Sequence, residues 1–144
     1  MEFATSGASQ NFTNNLNDFT EYEEIKNGQK VQTASKGNQL QVSMVGTVIL
    51  TYKVVEKGKK LECMSRLFPV YYISGLSVRL LSLGTLLNDG FKLRGTNNQL
   101  NFHYCSRIQM QLNPHVKGDT LFWLRAWVTP AAEVLANSSF YSRL

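Results

Sequence analysis

The sequence predicts a mainly β domain, a small closed β-barrel with one short helix near residues 77–89. Three observations carry the prediction. The longest patterned stretch, Gln39–Val55, alternates with the period of two that a half-buried strand requires. Glu56-Lys57-Gly58-Lys59 then turns the chain, and Lys60–Tyr72 returns as a second strand that Pro69 is expected to interrupt. A helical period appears at Ser77–Asp89, the one confident helix of the main body.

In the long strand, Leu40, Val42 and Met44 share a face. Beyond Met44, Val45, Thr47, Ile49 and Thr51 alternate with Gly46, Val48, Leu50 and Tyr52. Gly46 suits a bulge or a barrel corner. A strand this long does not stay flat, so it is expected to bend and serve two sides of a small barrel.

The remaining elements follow in order. Residues through about Asn17 are rich in Ser, Asn, Gly and Thr and read as loop. Phe19–Ile25 is a short element, closed by a turn at Lys26-Asn27-Gly28-Gln29. Gln29–Ala34 alternates as a half-buried strand before a turn at Ser35-Lys36-Gly37-Asn38. In the helix, Val78, Leu80, Leu81, Leu83, Leu86 and Leu87 make one face, Ser77 caps the start and Gly90 closes the end. Phe91–Arg94, Gln99–Cys105 and Arg107–Gln111 read as short strands, and Leu121–Trp127 as a further strand or apolar patch. Pro130–Ala136 reads as a short helix and Asn137–Leu144 as a frayed tail.

The 144 residues, 43% of them hydrophobic, suit one compact domain. No apolar run is long enough for a membrane span, and Met1-Glu2-Phe3 leads into polar residues rather than a secretory signal. Two cysteines, Cys63 and Cys105, imply reduced thiols, so an intracellular, cytoplasmic protein without membrane contact is expected. The net charge of +5 permits contact with nucleic acid but supports it weakly. The densest basic cluster, Lys57-Gly58-Lys59-Lys60, serves equally well to keep a strand edge from aggregating.

His103, Cys105, His115 and Cys63 lack any standard zinc-ligand spacing, so no metal and no cofactor are predicted. Phe68, Tyr71, Tyr72, Phe91, Phe102 and Tyr104 lie at strand spacing and are assigned to the core. They would stack on bases only if exposed among basic residues.

Several short motifs in a fixed order carry a resemblance. Thr5-Ser6-Gly7-Ala8-Ser9 and Gln10-Asn11-Phe12-Thr13 come first, then Val31-Gln32-Thr33-Ala34 and Gly46-Thr47-Val48. Tyr72-Ile73-Ser74-Gly75-Leu76, Leu80-Leu81-Ser82-Leu83 and Asn88-Asp89-Gly90-Phe91 follow. Over about Phe3–Gly95 the chain resembles the retropepsin-like aspartic protease β-barrel domain of Copia-type retrotransposon Pol polyproteins. Leu121-Phe122-Trp123-Leu124 is similar to the start of the pre-integrase region. The resemblance implies a barrel domain over residues 1–113 and a C-terminal extension over 114–144. It implies an endopeptidase acting on a polypeptide substrate as a homodimer, each subunit giving one Asp to a shared pair. Thr5, Ser6 and Gly7 would form the catalytic loop, while Ala8, Ser9, Thr33, Ala34 and Gly46 would contact substrate.

Thr5 stands where the family has its catalytic aspartate, Asn11 where it has histidine, Ser74 where it has proline and Met44 where glycine is frequent. Only the first change removes chemistry. Two carboxylates in contact share one proton, so that one acid and one base coexist. A threonine hydroxyl does not titrate near neutral pH, and losing a general base costs a factor of ~10²–10⁴. The other aspartates, Asp18, Asp89 and Asp119, lack the Ser/Thr-Gly pair of the loop and suit turns or caps. The expectation is a folded protease barrel, inactive or severely impaired. The alternative is a non-catalytic β-barrel binding module, with nucleic acid as the candidate ligand.

Overall fold

The computed structural model describes residues 1–32, 39–96, 98–104, 107–129 and 142–143. The chain begins with β1 (Glu2–Ser6), β2 (Asn11–Thr13) and a single 3-10 turn at Leu16–Asp18. Three longer strands follow: β3 (Glu21–Gln32), β4 (Gln39–Glu56) and β5 (Lys59–Tyr72). Next come β6 (Arg79–Ser82), the helix α1 (Leu83–Asn88), β7 (Lys92–Gly95), β8 (Leu100–Tyr104) and β9 (Arg107–Leu112). The short β10 (Trp123–Arg125), β11 (Trp127–Val128) and β12 (Ser142–Arg143) complete the order. Among the described residues the fold is mainly β with one short helix.

The main sheet runs β10-β1-β6-β2-β5-β4-β11, with β3 also on β4 and β12 also on β5. A second sheet runs β7-β8-β9. Among the described residues the expected closure is not present, because the hydrogen-bonded order of the main sheet is an open path. Its two end strands are nonetheless consecutive in the chain, joined at Ala126. The Ala126 N–H donates to Met1 O at 3.0 Å, beside β1, whereas Trp127 pairs with Thr51 of β4. The chain thus changes partner within one residue and forms no continuous strand between the two edges.

β4 and β5 form the long hairpin read from the sequence. Lys57 (φ 51°) and Gly58 (φ 76°) make its two-residue turn, the left-handed pair that matches the twist of the flanking strands. The β4–β5 register shifts between Gly46 and Val48, as expected at Gly46. β5 runs through Pro69 without interruption, with a cis peptide bond at Phe68–Pro69. The expected turn at 26–29 is instead a bulge inside β3, between Glu24 paired to Met44 and Gln29 paired to Val42.

Two other readings change. The N-terminal polar stretch is not all loop: β1 and β2 flank the motif. The expected helix over 77–89 begins only at Leu83, and its first half is β6, lying between β1 and β2. A strand covered on both faces buries consecutive residues, so Leu81 and Ser82 are both buried and the apolar period of two disappears. Ser82 rather than Ser77 caps the helix, accepting from Thr85 N, and Gly90 closes it at φ 97°.

The core joins elements from the whole described chain. Phe3, Leu50, Tyr52, Leu81, Phe102 and Leu124 are fully or nearly fully buried in one cluster. Each such side chain contributes roughly 1.5–3 kcal/mol through burial. The expected boundary near residue 113 falls between β9 and β10, and residues on both sides of it belong to this cluster. The Gln111 side chain ties the second sheet to the first. It accepts from Val55 N–H at 2.7 Å and donates to Val55 O at 2.8 Å, pairing the outer edge of β4 as a neighbouring strand would. Pro130–Ala136 and most of the expected tail lie outside the described residues.

Candidate active-site loop

β1 and β2 sit on either side of β6. β1 is parallel to it (Thr5 beside Leu81) and β2 antiparallel (Phe12 beside Leu80). The connection between β1 and β2, residues 7–10, therefore arches over the point where β6 becomes α1. The Thr–Ser–Gly–Ala–Ser motif occupies this arch.

Hydrogen bonds from both sides fix its shape. Thr5 N–H donates to Phe122 O at 3.0 Å, which holds the loop's entry against the segment preceding β10. The Ser6 hydroxyl accepts from Ala8 N–H at 3.2 Å and reaches Leu81 O at 3.4 Å. The fully buried Ser82 donates from Oγ to Ala8 O at 2.7 Å, while its own N–H donates to Asn11 Oδ1 at 2.7 Å. The Thr85 hydroxyl lies 3.3 Å from Ser9 O and 2.9 Å from Ser82 Oγ, with one proton to serve the two. A buried hydroxyl and a buried amide thus carry the loop, and each is satisfied.

The structure brings Thr5, Ser6, Gly7, Ala8 and Ser9 together. Gly7 is exposed, and a methyl group placed on it would meet nothing within 4 Å, so the single chain imposes no steric need for glycine there. Beneath the arch, Ala8, Ile25, Leu76 and Leu80 pack, partly exposed, against buried Phe12, Val42 and Ile73. Gly46 lies two strands from Asn11, in register through Val70. It lines another groove of about 260 Å³ with Glu21, Tyr22, Glu23, Val45, Thr47 and Phe68. A Cβ at Gly46 would lie 2.2 Å from Glu21 O, so close approach of β3 is what requires glycine. Thr33 and Ala34 lie outside the described residues.

The three aspartates are placed elsewhere. Asp18 is 3% exposed and accepts from Thr13 Oγ1 at 2.5 Å. Arg79 reaches the same carboxylate twice, through Nε at 2.5 Å and Nη2 at 3.1 Å. Asp89 is the C-cap of α1, and Asp119 follows a backbone turn at Val116. Among the described residues two titratable groups depart from their ordinary ranges, and both lie on the β4–β5 hairpin. Burial pushes the Tyr52 phenol strongly upward, with Ser65 hydrogen-bonded to it, and burial raises the Cys63 thiol against the opposing charge of Arg107.

His115 stacks on Trp123 at 4.2 Å and bonds Glu2 at 3.0 Å, on a different element from His103 and Cys63. Among the described residues no three His, Cys, Asp or Glu side chains form a metal-binding group. Cys105 lies outside the described residues. The aromatic assignment holds for Phe91 and Phe102, whereas Phe68 and Tyr104 are 56% and 42% exposed. Among the described residues no helix is long and apolar enough to cross a membrane.

The supports Ser82 and Thr85 were the residues sequence reasoning missed. The signal was present as Ser-x-x-Thr at a helix start, three residues apart, but Ser77 offered an equivalent reading.

Comparison with known families matches residues 3–91, more than half of the chain, to the model described as Pol polyprotein, beta-barrel domain. The matched range contains the arch, β6 and α1, the same region that carries the resemblance to a retrotransposon Pol domain. No curated protein and no solved structure gives a significant match. The chain belongs to the family of Pol polyprotein β-barrel domains.

Proposed function

We propose that this is a retropepsin-like aspartic endopeptidase domain of a Copia-type polyprotein in which the catalytic acid is replaced by Thr5, leaving a peptide-binding half-site without hydrolytic power. The observation that carries the reading is the β1–β6–β2 arrangement with its braced arch. It holds Thr5 in a fixed backbone position near the end of β1, and the arch that follows carries Ala8, which packs with Ile25, Leu76 and Leu80 around Phe12, Val42 and Ile73 as a partly exposed apolar wall. An extended apolar peptide is the substrate class such a wall fits.

A carboxylate at position 5 would sit at the mouth of this arch. Two arches facing one another would bring two such groups into contact, and repulsion would leave one protonated and one ionised at mildly acidic pH. With threonine the water between them keeps a hydrogen-bond partner but loses its base. The open space at Gly7 supports the half-site reading, since close backbone approach by substrate or a second subunit is the use of a glycine the isolated chain does not need.

The test compares the chain as written with Thr5→Asp on a mixed peptide library at about pH 5, with and without a statine-type inhibitor. Solution mass is measured alongside. The chain as written should cleave nothing, and dimeric Thr5→Asp should cleave and be inhibited. A folded, dimeric Thr5→Asp protein that cleaves no peptide would overturn the proposal, as would statine-sensitive cleavage by the threonine form.

A further inference from the structure

A second surface lies away from the arch. Between Asp89 and Asp119 the chain contains no Asp or Glu but has Lys92, Arg94, Arg107 and Lys117. This stretch forms β7, β8 and β9, and the family match ends at residue 91, so the sheet is built from residues outside the matched range. Register and hydrogen bonds join it to the basic turn of the β4–β5 hairpin. Lys60 pairs with Val55, Val55 is held by the Gln111 side chain, Gln111 pairs with Asn101, and Asn101 pairs with Arg94.

At about 4.8 Å per strand step and one side chain's reach, Lys60 to Arg94 spans roughly 20 Å. Lys59, Lys60, Lys92, Arg94 and Arg107 are all exposed. Arg107 opens β9, in register with Tyr104 at the end of β8. Glu56 and Glu62 also lie on the hairpin, in register with Lys59 and Lys53, and offset part of this charge. The opposite end of β4 is acidic, with Glu21, Glu23 and Glu24 exposed on β3.

We propose that Lys59, Lys60, Lys92, Arg94 and Arg107 form a sequence-independent binding strip for single-stranded nucleic acid. The cations are spread over neighbouring strands of two sheets, as an extended polyphosphate requires, rather than gathered about a single anion. Tyr104, 42% exposed and in register with Arg107, supplies a ring for base stacking beside that guanidinium. The strip does not depend on the arch, so it is independent of the endopeptidase proposal.

The test is fluorescence anisotropy with a labelled oligouridine of about 20 nucleotides, titrated at salt concentrations from about 50 to 200 mM. Five phosphate contacts at about 0.7 each give a log–log slope near −3.5, so affinity should fall on the order of 100-fold over this range. Lys59→Gln/Lys60→Gln/Lys92→Gln/Arg94→Gln should reduce the slope to about −0.7. Lys26→Gln, on the acidic end, should leave it unchanged. The pair Lys92→Gln/Arg94→Gln alone, on a fully exposed strand, should lower the slope by about 1.4 and covers the case in which the quadruple variant does not fold. A slope near zero would overturn the proposal. So would equal losses in Lys26→Gln and the strip variants, or binding to anionic phosphatidylserine vesicles with none to the oligonucleotide.

Discussion

Asp18→Asn should destabilise the domain by an amount the structure fixes within a narrow range. The carboxylate is buried at the end of the 3-10 turn, receives two bonds from Arg79 at the start of β6, and receives a third from Thr13 at the end of β2. Asparagine keeps the shape and can still accept from Thr13, but leaves the guanidinium without its counter-charge. The Arg79 side chain is only 19% exposed, so water replaces little of that interaction. Breaking a buried pair by removing one partner costs about 3–5 kcal/mol. For 144 residues the unfolding entropy near the midpoint is about 0.3 kcal/mol/K, which converts this to a Tm loss of about 10–17 °C. Arg79→Ala should cost a similar amount, and the apolar pair Asp18→Leu/Arg79→Met should recover much of either loss. Urea and thermal denaturation followed by circular dichroism would measure all four proteins. A loss under about 1 kcal/mol in both single variants would refute the reasoning, because it would show the pair behaving as an exposed one. The same series addresses chemistry: if Asp18 is structural, Thr5→Asp/Asp18→Asn should keep the peptidase activity of Thr5→Asp wherever it remains folded.

Gln111→Ala should expose the Val55 N–H and C=O at a covered strand edge, costing about 1–3 kcal/mol in urea unfolding and accelerating amide exchange at Val55. Gly46→Ala places a methyl group 2.2 Å from a backbone oxygen, so β3 must shift, and a loss of about 1–3 kcal/mol or more is expected by the same assay. Tyr52 is raised in the folded state relative to its ordinary value of 10.0, so its contribution is complete below that pH. It declines as pH rises above about 10, where the unfolded phenol ionises and the buried one does not. Tyr52→Phe should remove this part of the alkaline slope in a series of unfolding curves.

The long hairpin was legible because each of its features has a local cause. Alternation defines β4, a Lys-Gly pair supplies the left-handed turn, and Gly46 marks the register shift. β6 was not legible, for an equally physical reason. Periodicity reports one buried face, and β6 has two, with Leu81 in one core cluster and Leu80 packed against the other, so Leu80, Leu81 and Leu83 merge with the apolar positions of α1 into one apparent helical stripe. The bulge at 25–28 was hidden similarly. Lys-Asn-Gly reads locally as a turn, and only the pairing of Gln29 with Val42, which resumes the same strand, distinguishes a bulge from it. The partner exchange at Ala126 depends on contacts with Met1 and Thr51, far away in sequence, and no window of residues encodes it.

The arch was legible as a motif but not as a mechanism of support. Nothing in Thr-Ser-Gly-Ala-Ser indicates that its rigidity comes from Ser82 and Thr85, some seventy-five residues onward. This separation bears on what replacement of the acid has left behind. Position 5 is held by its backbone bond to Phe122 and lies in register beside Leu81, and Ser6, Ala8 and Ser9 are braced by groups that never involve the Thr5 side chain. Exchanging threonine for aspartate therefore alters a charge without removing any bond that shapes the loop. Ser82→Ala does the reverse. It keeps Thr5 but deletes the donor to Ala8 O and the acceptor for Thr85 N, at about 1–2 kcal/mol from the lost cap alone. In the Thr5→Asp background, Ser82→Ala should lower kcat far more than that loss of stability requires, because the arch would move relative to bound peptide. A Thr5→Asp/Ser82→Ala protein with undiminished kcat would show that the bracing from α1 is dispensable and that the geometry of the arch lies in β1 and β2 alone.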